Sequence, residues 1–122
     1  MIERFWRYRY KTPPPTLQVL YQHTLVAELQ EFPTGGYLFR YMPEFRHMNL
    51  SPFPGLPAGK DSLFSDLPAF FEERLPDIRR PEVREAVERS GIPKEDKLRL
   101  LSAFGSHAIT DPFEFRLKAA TA

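Results

Sequence analysis

The chain contains no cysteine, which removes disulfides, thiolate chemistry and zinc-ribbon sites together and fits a reducing compartment. It also lacks a strong charge of either sign. Seventeen Lys and Arg against sixteen Asp and Glu leave a formal charge of +1, so no global field draws it onto a polyanion. No apolar run approaches the roughly 20 residues that span a bilayer, and no apolar stretch follows Met1-Ile-Glu-Arg4 as a secretory signal requires. The expectation is a cytoplasmic protein.

Nucleotide cradles are missing as well. Gly35-Gly36 has neither the GxGxxG nor the GxxxxGK[ST] spacing, and two glycines before Tyr37 are what a hairpin turn needs. His23, His47 and His107 are scattered, without an HExxH pair or helical spacing, so neither a metal nor another cofactor is expected. Ser106, His107 and Asp111 supply the residue types of an acyl-transfer triad. Adjacent residues of an extended segment point to opposite faces, however, and there is no GxSxG elbow, so a turn explains them better. Glu72 and Glu73 read as neighbours on a solvated helix face. No catalytic residue is assigned, and the chain is expected not to be an enzyme.

What the sequence does have is rings and breakers: eleven phenylalanines, five tyrosines, one tryptophan and thirteen prolines in 122 residues. A domain of this size buries roughly two-thirds of the surface of its unfolded chain, and the aromatics supply much of that core. Residues 1–15 read as an extension, and residues 16–122 as the main domain. In the extension Trp6, Tyr8 and Tyr10 alternate with Arg7, Arg9 and Lys11 before the stiff Pro13-Pro14-Pro15 spacer. Base stacking with phosphate contacts is one reading of that pattern. A strand with its rings packed and its basic face in water is the other.

From Leu17 to Met42 the period is two. Leu17/Val19/Tyr21, Leu25/Ala27/Leu29 and Tyr37/Phe39/Tyr41 form three strands, with turns at Gln22-His23-Thr24 and Pro33-Thr34-Gly35-Gly36. Residues 43–61 hold Pro43, Pro52, Pro54 and Pro57 with Gly55 and Gly59, which predicts an irregular crossover with a short edge strand near Met48 to Ser51. Phe64 to Asp77 then switches the period to that of a helix. Asp66 is the expected cap and Pro68 the expected start, Leu67, Phe70, Phe71 and Leu75 form one apolar stripe, and Pro76 is the stop. A second helix is expected from Pro81 to Arg89 with Ser90-Gly91 as its end, and a third from Pro93 to Phe104 before Gly105. Phe113, Phe115 and Leu117 predict a closing strand. The fold class is α+β: a small antiparallel β-meander, a cluster of three short helices and a final strand.

The pair of helices over 81–104 has the length and turn glycine of a helix-turn-helix. A recognition helix there would begin Lys94-Glu95-Asp96-Lys97 and turn two acids toward phosphates. A nucleic-acid-binding module, using this pair or the N-terminal strand, is the alternative function.

Leu17-Gln-Val-Leu-Tyr21, Leu25-Val-Ala-Glu-Leu29, Phe39-Arg-Tyr41, Phe70-Phe71-Glu-Glu-Arg-Leu-Pro-Asp77 and Leu100-Leu101-Ser-Ala-Phe-Gly105 together resemble the N-terminal subdomain of HipA-like serine/threonine kinase toxins. The likeness covers about Leu17 to Leu117. Thr24 and Ala27 stand where that family often has glycine, and His107 and Thr110 depart from its Gly-x-Asp-x-x-Gly pattern. A free-standing subdomain of this kind is similar to the HipS-like antitoxins of three-component HipBST systems. The resemblance implies an antitoxin without catalytic residues that binds and inhibits a separately encoded HipA/HipT-like kinase. It leaves open whether a HipB-like DNA-binding protein completes a ternary complex. As partner-binding residues the sequence offers Phe64 with Ser65, where an aromatic on a loop fills a partner's pocket or instead staples the helix start by packing on Ala69 or Phe70. Arg79 and Arg80 are candidates for pairing with a partner's acids.

Overall fold

A computed structural model describes residues 16–105 and 112–118. The Trp6/Tyr8/Tyr10 strand, the proline spacer and the Ser106, His107 and Asp111 group lie outside them. The chain begins with strands β1 (Thr16–Tyr21), β2 (Thr24–Glu31) and β3 (Tyr37–Tyr41), the expected meander. A 3₁₀ turn follows (Pro43–His47), then β4 (Ser62–Phe64). Helices α1 (Ala69–Glu72), α2 (Pro81–Ser90) and α3 (Lys97–Phe104) precede β5 (Phe113–Lys118). The five strands form one antiparallel sheet in the order β4-β3-β2-β1-β5. The closing strand therefore lies beside the opening one, with Thr16 opposite Lys118.

Cross-strand register places Leu117, Leu17, Leu29 and Phe39 in one row of the core face, and Phe115, Val19, Ala27 and Tyr41 in the next. Against these rows pack Phe70 and Phe71 of α1 and Leu98 and Leu101 of α3, all in one buried cluster. Phe71, fully buried, has ring centroids 5.9 Å from both Phe39 and Phe115. Fully burying each such side chain is worth about 1.5–3 kcal/mol. Leu67, Phe70 and Phe71 are buried and Leu75 is partly buried as expected, but the helix itself ends at Glu72, short of the expected stop at Pro76, so Leu67 and Leu75 reach the core from the segments flanking it.

Four local expectations are corrected. Alternation puts Leu25 on the core face, but the register shifts between Val19/Leu20, pairing Val19 with Ala27 and Leu20 with Leu25. Val26 is the extra, bulged residue and is fully buried, so Leu25 turns to the other side of the sheet. The edge strand forms at Ser62–Phe64 and not at 48–51. Met48 and Leu50 are instead drawn onto the core, where Phe53 and Leu56 are buried beside them, which keeps that stretch under the sheet and away from its edge.

The first helix is a single turn whose N-cap is Pro68, with no side-chain cap from Asp66. Pro68 supplies the carbonyl to which the N–H groups of Phe71 and Glu72 donate. The third helix starts at Lys97, not Pro93, because Asp96 is a better cap: its Oδ1 accepts from the Arg99 N–H. The second helix has its expected bounds within a residue, and Gly91 ends it in the left-handed conformation at φ 75°.

Candidate partner-binding surface

Both ends of the sheet differ from its middle, and the β4 edge carries the first candidates. Phe64 lies opposite Tyr37, and Ser62 opposite Phe39, so both project to the core face. Leu63, between them, points to the other side and is 72% exposed. Phe64 is half-buried at the margin of the core and takes part in none of the ring contacts among the described residues. Phe70 instead stacks on Phe53, with centroids 4.4 Å apart and planes at 7°. Ser65 follows, exposed, at the end of the strand.

Arg79 and Arg80 sit on the exposed loop between α1 and α2, each with an acid of its own chain. Arg79 Nε and Nη2 donate to Asp77 Oδ1 and Oδ2 at 2.9 and 3.1 Å, and its backbone N–H donates to Oδ1. The Arg79 guanidinium holds the Asp77 carboxyl below the usual range. Arg80 pairs with Glu82 at 2.8 Å. No hydrogen bond, ion pair or ring contact among the described residues joins this pair of arginines to Phe64 and Ser65. Exposed pairs of this kind are worth little and exchange readily for a partner's groups.

Next to the arginine loop is a cleft of about 490 Å³, lined by Glu72, Leu75 and Ile78 on one side and by Lys94, Lys97 and Leu100 on the other. Ile78 is 36% exposed at its margin. Lys97 Nζ stands 3.8 Å from Glu72 Oε2 across it.

Between the cleft and the β4 edge lies a set of charges that sequence inspection misses. Glu31 pairs with Tyr37 across β2 and β3. Burial, then Asp96, pushes the Glu31 carboxyl up, with Lys97 opposing. Tyr37, 7% exposed, has its hydroxyl pushed up to about 12 by burial and by Glu31, Glu72 and Asp66. The alternation that names Tyr37 as a core residue gives no hint that carboxylates from three separate segments act with burial on its hydroxyl.

The family model for the HipA N-terminal domain matches residues 17–109. The chain belongs to the HipA N-terminal domain family. That span runs from β1 through α3 and includes Phe64, Ser65, Arg79, Arg80 and the Glu31–Tyr37 pair. Strand β5 lies beyond it. Membership sets the chain in a HipA-related toxin–antitoxin context. No curated protein is a significant match. Within the described residues no helix is long and apolar enough to cross a membrane.

Thr24 and Ala27, where this HipA-type domain departs from the glycines common in its family, are accommodated differently. Thr24 pairs with Tyr21 as the first residue of β2, and Ala27 is fully buried opposite Val19. The turn itself consists of Gln22 and His23, both left-handed at φ 49° and 68°. Two residues of positive φ between paired strands make the tight hairpin turn that glycine or asparagine usually forms.

Proposed function

We propose that this chain is a non-catalytic antitoxin or regulatory subunit that binds a separately encoded HipA/HipT-like serine/threonine kinase and inhibits it by association. The observation that carries the reading is the match to the HipA N-terminal domain over residues 17–109. A domain related to one that packs on a kinase within a single chain retains a complementary surface when the two are separate, and occupying that surface shifts the kinase toward an inactive state. The surface favoured here is the β4 edge, with Phe64 as the anchor, Ser65 beside it, and Arg79 and Arg80 as outlying charges. Phe64 suits the role because it is only half-buried, so a partner that covers it gains apolar area.

The test is an inhibition assay with the purified kinase. Stoichiometric inhibition by the wild-type chain, weakened at least tenfold by Phe64→Ala at unchanged fold, supports the reading. A kinase left fully active at equimolar chain rejects it. Full inhibition by Phe64→Ala rejects the anchor alone.

A further inference from the structure

Strand β4 leaves one side of its backbone open. The Met42 N–H donates to the Val26 carbonyl at 2.8 Å and the Phe32 N–H to the Gly36 carbonyl at 2.9 Å. Alternation between these two bonds turns the main-chain groups of Leu38 toward β2 and those of Tyr37 and Phe39 toward β4. Leu63, opposite Leu38, therefore turns its N–H and C=O away from the sheet. Neither group has a hydrogen-bond partner among the described residues. The Leu63 side chain, on the face away from the core, is the most exposed large apolar one among those residues, and the half-buried Leu38 lies beside it. A proline or a charge commonly blunts such an edge, and Ser62-Leu63-Phe64 has neither, so its shortness is its one safeguard.

The sequence around Leu63 is complementary to itself. When a second copy pairs antiparallel about a two-fold axis at Leu63, the Leu63 N–H of each copy donates to the Leu63 carbonyl of the other. The same register sets Phe64 opposite Ser62, Asp61 opposite Ser65 and Lys60 opposite Asp66, so no like charges meet and opposite charges face each other at both ends. Lys60 and Asp66 are exposed, and neither is in an ion pair among the described residues. On the outer face Leu38 and Leu63 of one copy continue into Leu63 and Leu38 of the other as one apolar row. We propose that β4 is a self-association edge, through which two copies of this chain join their five-stranded sheets into one. The inference stands apart from the kinase-binding reading. Both use the edge that carries Phe64, so a bound kinase and a second copy exclude one another.

A three-residue strand buries far less than the roughly 800 Å² a side of a standard interface, so a dissociation constant of about 0.1 mM is expected. The test is sedimentation equilibrium of the full chain, with nuclear magnetic resonance spectra of the ¹⁵N-labelled chain over the same concentrations. Dimers are expected, with shifts centred on Leu38 and on Lys60 to Asp66. Leu63→Asp sets two carboxylates against each other at the axis and should weaken association about tenfold or more, while its spectrum reports that it is folded. Lys60→Asp should weaken it about threefold or more, and Lys60→Asp/Asp66→Lys should restore it, as only a register that opposes these two positions allows. A chain that stays monomeric to about 1 mM, shifts centred away from β4, or a double variant no better than the single one overturns the site. No kinase enters the measurement. Kinase inhibition by a chain that stays monomeric removes the self-association edge alone, and a dimer that leaves the kinase fully active removes only the antitoxin reading.

Discussion

Gly105 lies so close to Phe115 that a Cβ built on it would stand 2.9 Å from the ring's Cδ2 and 2.6 Å from the Leu101 carbonyl oxygen. Its backbone is ordinary right-handed helix at φ −73°, so glycine is required for space and not for conformation. The close approach lets the end of α3 rest directly on β5. Gly105→Ala is expected to lose about 1–3 kcal/mol through forced displacement of one or the other. Urea denaturation checks it, and an unchanged midpoint would show that the ring moves aside freely.

Tyr41 organises the crossover. Its hydroxyl donates to the Leu56 carbonyl at 2.5 Å and accepts from the Phe53 N–H at 2.8 Å. Tyr41→Phe leaves both groups without their partner, at a cost of about 1–3 kcal/mol. Amide exchange should rise first at Phe53 and Leu56, while the sheet amides stay protected.

Phe71→Ala removes the ring that touches Phe39, Phe70 and Phe115. The expected loss is about 3–5 kcal/mol, a large part of the stability of a domain this size. Calorimetry should show a lower melting temperature and enthalpy. Retention of the wild-type melting temperature would mean that the core closes over the gap.

The turn at Gln22 and His23 stores backbone strain, because non-glycine residues in the left-handed region cost energy. His23→Gly should stabilise the chain by about 1 kcal/mol, less the weak contact of His23 Nδ1 with Glu114 at 3.7 Å. A lower melting point than wild type would show that this contact outweighs the strain.

Glu31 gives a pH dependence of definite sign. Its carboxyl is raised above the ordinary 4.5, first by burial and then by Asp96. The folded state thus holds the proton more tightly than the unfolded one. The penalty is absent in acid and grows as pH rises from 4.5 through the folded value. Glu31→Gln should match wild type near pH 4 and melt a few degrees higher near pH 7. Parallel melting curves at both values would contradict it.

The strands and the core stripe were legible because period two and helical spacing are properties of single segments. Leu17, Val19, Leu29, Phe39, Phe70 and Phe71 all lie where periodicity puts them. What stayed hidden depends on relations between segments. Val26 is buried because of how β2 registers on β1, and Pro68 in place of Asp66 starts α1 because of where the chain leaves β4. The cluster around Tyr37 draws its carboxylates from β2, the β4–α1 loop and α1, which no local pattern joins. Local context alone offers Phe64 and Ser65 as candidates, and only the pairing with β3 puts Phe64 at the sheet edge with Ser65 just after it.

The pairing of Thr16 with Lys118 also makes the wiring of the fold nearly circular. Paired strands run about 5 Å apart, so a short linker from residue 118 to residue 16 would close the described chain into a ring without bending the sheet. New ends opened at the exposed Pro54-Gly55 turn would leave every strand pairing intact. A label or tether attached at Thr16 and one attached at Lys118 would, for the same reason, emerge at one shared corner of the sheet.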